Sequence, residues 1–145
     1  MSRLRFRALA TAASIAATAA SGVVLVARQV PAASVFTEQQ ATAGKAEYAK
    51  HCASCHMPDL SGSTEMSALA GPAFIETWGA RSTKDLYDYT AEAMPYGAPS
   101  LSVESYTVIV AFILQANGGV AGANALTAST VAPISGVAGP VGPRQ

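Results

Sequence analysis

Both cysteines and both histidines of the 145-residue chain fall within ten positions, "HCASCHMPDL" at residues 51–60. A cysteine pair at this spacing serves a redox disulfide, half of a zinc site, or thioether attachment of haem when His comes next. Structural zinc asks for about four ligands. Only His51 remains to supplement the motif, and it would compete with His56 for a place beside the same two sulfurs. A thioredoxin-like pair expects a preceding strand and a βαβ setting, whereas Cys52 here closes a helix-like segment. Haem attachment uses every residue of the motif. Cys52 and Cys55 can form thioethers to the porphyrin vinyl groups, and His56 can set its imidazole under the iron as proximal ligand.

Three segments with helix signals must position this motif. Thr37 can cap "EQQATAGKAEYAKHC", with Glu38 in its first turn and Ala41, Gly44, Tyr48 and Cys52 on one face. Gly44 at the centre of that face costs about 1 kcal/mol against Ala, which implies the close approach of another backbone. Ser82 with Asp85 three residues on reads as a capping box opening "TKDLYDYTAEAM". Ser102 caps "VESYTVIVAFILQAN", whose Tyr106, Ile109, Val110 and Ile113 form an apolar face, and "NGG" stops it. No strand alternation lies between them. Residues 57–80 read as a long loop, and loops of such length in a small domain wrap something or carry function.

The ends differ from this middle. "MSRLRFR" is a basic leader to the uncharged residues 8–27, nine of whose twenty residues are Ala, and "PAAS" offers small residues for cleavage near Ala33 or Ser34. Residues 1–34 are read as a signal peptide, or an uncleaved anchor. Residues 127–145, rich in Pro, Gly, Ala and Val without amphipathic period, read as a flexible tail. Residues 37–126 are left to fold, a size that commonly needs a staple. From residue 34 onward five bases face nine acids, a net charge of −4 that argues against a nucleic-acid partner.

Together, "GKAEYAKHC", "CASCH", "LAGPAF", Trp78, "MPYGAP" and "LSVESYTVIVAFILQANG" resemble class I c-type cytochromes over residues 41–126. The resemblance implies an all-α cytochrome c fold of about three to five short helices around one covalent haem c. It implies iron ligation by His56 and Met94, Met66 being the competitor for the second position. It further implies a Pro72 carbonyl that accepts the His56 N–H, Leu69 and Phe74 in the haem crevice, and Trp78 near a propionate. Gly44 and Tyr48 would cross the last helix near Ile109 and Phe112. His51 reads as a partly exposed helix residue. Two positions depart from the family pattern: Met57 stands where many relatives have Gly, and the tail has no counterpart.

Iron closed by two ligands moves electrons instead of binding oxygen. The resemblance therefore implies a non-enzymatic, periplasmic monohaem electron carrier, similar to those that serve periplasmic dehydrogenases. Its partners would be such a dehydrogenase as donor and an oxidase or another cytochrome as acceptor, with the membrane involved only if residues 8–27 stay attached. Alternatives are a dedicated haem subunit of a membrane-bound complex and, with an open sixth site, a haem enzyme or gas sensor.

Overall fold

The structure is a computed structural model that describes residues 33–139. The expected signal peptide or anchor thus lies outside the described residues, apart from its last two positions. Among the described residues no helix is long and apolar enough to cross a membrane, and six helices with no strand make up the fold.

Local capping sets the three long helices. In α1 (Glu38–His51) the Thr37 hydroxyl accepts from the Gln40 backbone N–H while the Gln40 side chain accepts from the Thr37 N–H, a reciprocal box that satisfies two helix-end donors. The same arrangement joins Ser82 and Asp85 at the start of α4 (Thr83–Ala93). At α5 (Val103–Ala116) the Ser102 hydroxyl accepts from the Ser105 N–H. Its far end closes on Asn117 and on Gly118, whose φ of 86° favours glycine. All three helices form where capping and periodicity predict them.

The helices meet as Gly44 requires. A Cβ at Gly44 would collide with the Val108 carbonyl and come within 2.9 Å of the Phe112 Cβ, so α1 and α5 cross backbone against backbone. One turn on, the Tyr48 and Phe112 rings pack at 5.3 Å between centroids. Around this crossing lie Phe36, Ala41, Phe74, Leu86, Ile109, Val110, Leu114 and Ile134, all buried.

Two expectations are corrected. Residues 57–80 are not all loop, because Pro72–Trp78 form α3, with Gly71 before it at φ 86° and Pro72 in the first turn. Proline suits that position, where its missing N–H would have had no intrahelical partner. The helix is seven residues long with no side-chain cap, so its local signal is faint. Residues 127–139 are not a flexible tail. They carry the single turn α6 (Ile134–Val137), and Ile134 and Val137 are fully buried. Backbone bonds from this segment reach Gly79, Arg81 and Thr83, while Leu126 just before it is clasped both ways by the Gln40 side chain at 2.8 Å. Burial of a few aliphatic side chains fixes a chain whose composition alone reads as loose.

Candidate haem site

The motif lies where α1 breaks. Cys52 ends α1 and starts the single turn α2 (Ala53–His56), held by bonds from the Cys55 and His56 N–H groups to the Cys52 carbonyl. This turn brings Cys52, Cys55 and His56 to one wall of a cavity of about 280 Å3. Both thiols are free. Burial, with Cys55 adding a smaller contribution, pushes the Cys52 thiol up to about 11. A reactive dithiol needs the opposite shift, since the thiolate is its nucleophile.

His56 is buried, and its Nδ1 lies 2.8 Å from the Ser67 carbonyl. A carbonyl can only accept, so Nδ1 is the donor, and in the neutral ring that leaves the lone pair on Nε2, the usual way an outer partner orients a ligating histidine. The acceptor expected from sequence was the Pro72 carbonyl. Pro72 instead opens α3 with its ring exposed, and a carbonyl in the first turn points along the helix toward residue i+4.

The loop that delivers Ser67 is closed on itself. Gly62 N–H donates to the His56 carbonyl, Leu69 N–H to that of Leu60, and Ser63 N–H to that of Met66. Met57, standing where glycine was noted in relatives, adopts φ 65° and ψ 151°, a conformation that glycine takes without strain. The Tyr48 hydroxyl donates to its carbonyl at 2.7 Å. At the loop's end, buried Asn117 donates to the Leu69 and Ile113 carbonyls and accepts from Gly71 N–H at 2.9 Å.

The remaining wall comes from α3, α4 and α5. Trp78, Leu86, Met94, Ile109 and Ile113 line the cavity there, while Met66 and Leu69 line it from the loop before α3. Met94 caps the end of α4, and its carbonyl accepts from the Tyr106 hydroxyl at 2.6 Å. Phe74, expected in the crevice, is wholly buried in the core one helical turn before Trp78 and is not on the wall. His51 lies on the wall, partly exposed, with Nε2 3.6 Å from a Glu47 carboxylate oxygen. Sequence reasoning missed Ser67, Asn117 and Arg81, and took Tyr106 for a purely apolar contact. Asn117 stood out only as a stop signal, and a backbone acceptor such as Ser67 has no residue-type signature.

Haem fits these residues. Two free thiols and an oriented imidazole share the wall of a largely apolar cavity. Among the described residues no three His, Cys, Asp or Glu side chains gather to hold a bare ion, so the donor set suits an iron that brings its own equatorial ring.

The fold and the site define a c-type cytochrome. Residues 39–113 match the family described as cytochrome c oxidase, cbb3-type, subunit III, and the chain belongs to that family. Among solved structures it is similar to the sulfane dehydrogenase SoxCD from Paracoccus pantotrophus, at 29% identity and a TM-score of 0.53, over 70% of this chain and 61% of that one. The chain thus spans less than two thirds of that relative. No curated protein matches it.

Proposed function

We propose that the protein is a periplasmic monohaem electron carrier that takes electrons from a dehydrogenase and passes them toward a respiratory chain. Bound haem supplies a one-electron iron couple; everything else is done by the chain. Cys52 and Cys55 hold the ring through their sulfurs, and His56 offers Nε2 to the iron. Met94 would be the second residue to hold the iron. The observation that carries this assignment is the division of the walls. Met66 directly precedes Ser67, whose carbonyl backs the His56 ring, so its segment belongs to the histidine side. Met94 arrives from α4 and is tied to α5. A thioether on the iron favours the reduced state and leaves no position for oxygen.

Of the residues that line the cavity, Cys55, Tyr89 and Tyr96 are exposed. Small patches of this kind suit brief redox encounters. The net charge of −4 from residue 34 onward favours a partner with Lys and Arg around its own redox centre.

A second reading, a dedicated haem subunit of a dehydrogenase or oxidase complex, is favoured by the names of the two similar proteins, an oxidase subunit family and a dehydrogenase. One experiment separates the two. The protein is expressed with export and haem-attachment machinery, then fractionated and sized. A carrier is recovered from the periplasmic fraction as a haem-bearing single chain, and its second-order reduction by a basic redox protein slows as salt rises. Recovery only in a stable stoichiometric complex contradicts the carrier and supports the subunit.

A further inference from the structure

The matched family region ends at residue 113, yet the chain continues through a folded segment that runs back to the turn between α3 and α4. Residues 127–139 grip one corner, residues 79–83, between α3 and α4. Thr83 is the centre of that grip. It is almost wholly buried, its hydroxyl donates to the Thr130 carbonyl at 2.7 Å and accepts from Ala132 N–H at 3.1 Å, and its own N–H donates to the Ala132 carbonyl at 2.9 Å. Ile134 N–H donates to the Arg81 carbonyl at 2.9 Å and Ser135 N–H to that of Gly79 at 3.1 Å. The segment is anchored beyond the corner as well, since Ala33 N–H donates to the Gly136 carbonyl and Gly118 packs against Gly139.

The gripped corner reaches the cavity through Arg81, with Trp78 just before it. Trp78 and Arg81 both line the wall, with the Arg81 guanidinium 4.9 Å from the Trp78 ring centroid. Among the described residues no Asp or Glu lines the cavity and Arg81 is its only Lys or Arg; of the two histidines there, His56 meets the Ser67 carbonyl and His51 sits beside Glu47. A cavity with largely apolar walls and at its rim one exposed cation that lies over the Trp78 ring suits a flat apolar ring with an anionic edge, the shape and charge of a haem with its carboxylates.

We infer that the C-terminal segment is a buttress that, through Thr83 and the backbone of residues 79–82, positions Arg81 at the anionic edge of the haem and so raises the potential of the iron. This rests on the haem reading above. A cation held near the iron disfavours the more positive oxidised centre, and the effect depends on distance. Arg81 touches the cofactor; Thr83 is a positioning residue that acts through it.

The test is a double-mutant cycle on the full-length, haem-loaded protein, with midpoint potential as readout. Arg81→Gln lowers the potential. Thr83→Val, which keeps the shape and loses the hydroxyl, lowers it in the same direction by a smaller amount. Thr83→Ser restores the native value, and the Arg81→Gln/Thr83→Val pair shifts no further than Arg81→Gln alone. A haem-bearing Thr83→Val protein at the native potential overturns the buttress, and so does a double variant whose shifts add. Should Thr83→Val yield no folded protein, Val137→Ala, which thins the segment's buried anchor, takes its place in the cycle: a native potential or additive shifts overturn the buttress there too. Haem stain on a denaturing gel checks the underlying reading separately. A wild-type chain that carries no covalent haem sinks both readings, whereas a haem-bearing chain with an unmoved potential sinks only the buttress.

Discussion

The two walls of the cavity are held in different ways. On the His56 side, a loop within fifteen residues of the motif folds on itself through its own backbone bonds, with Ser67 behind the imidazole and Asn117 pinning the loop's end to α5. On the Met94 side, residues 96–100 are all exposed, and the Tyr106 hydroxyl is what ties the stretch down: it donates to the Met94 carbonyl at 2.6 Å and accepts from Leu101 N–H at 3.3 Å. One wall is a closed network of loop bonds; the other has the Met94 N–H bond to Thr90 and the Ala98 N–H bond to Pro95, and a single side chain of the next helix ties it across to α5. A network resists loss of any one loop bond, whereas the single tie makes Met94 the wall that yields first.

The largest effect expected from this contrast is at the one long-range anchor of the histidine wall. Asn117→Ala leaves the Gly71 N–H and the Leu69 carbonyl without partners, at a cost of about 2–4 kcal/mol to be read from the urea midpoint of the haem-loaded protein. A loss under about 1 kcal/mol would show that the loop needs no anchor. Next, Tyr106→Phe is expected to cost about 1–2 kcal/mol and to do so selectively. The Met94 side loosens and the reduced protein begins to bind CO, while covalent haem and His56 ligation persist. Native ligation with no CO binding in that variant would break the comparison.

A smaller effect sharpens it from the other direction. Met57→Gly relieves a backbone conformation that side-chain-bearing residues rarely adopt, φ 65° and ψ 151°. The relief exceeds the entropy that glycine adds to the unfolded chain, so stability rises by about 1 kcal/mol. An unchanged or lower denaturation midpoint would show that Met57 is unstrained. The smallest effect lies away from both walls, at the start of α4. The Ser82 backbone N–H and hydroxyl hold the Asp85 carboxyl below its ordinary value of 3.8. A depressed folded-state value contributes stability above the unfolded value, and that contribution fades as pH falls through the folded one. Asp85→Asn therefore flattens the acid limb of the stability curve slightly and leaves neutral-pH haem spectra untouched. An acid limb identical to wild type would show that the capping box contributes nothing there.

What was legible in the sequence divides along the same lines. Helices α1, α4 and α5 were readable because Thr37, Ser82 and Ser102 announce them within three residues, and Gly44 foretold the α1–α5 crossing because only a close backbone approach explains a glycine there. The motif itself is local chemistry. The Ser67 acceptor was not legible, since which carbonyl meets His56 depends on the path of a loop with positive φ at Met57, Leu60 and Gly62. Docking of residues 127–139 was hidden for a similar reason. The burial of Ile134 and Val137 is a property of the surface they meet, and nothing in their own neighbourhood declares it.

The central proposal is that the cavity would hold a covalent haem, with His56 and Met94 as the residues on its iron. Its most direct test is the absorption spectrum of the exported, haem-loaded protein, oxidised and reduced, with CO added to the reduced form. The weak charge-transfer band of Met sulfur on Fe(III), together with reduced protein that ignores CO, is the predicted result. Absence of that band with immediate CO binding would contradict the account, for the sixth position would then be open and the site built for ligands instead of electrons.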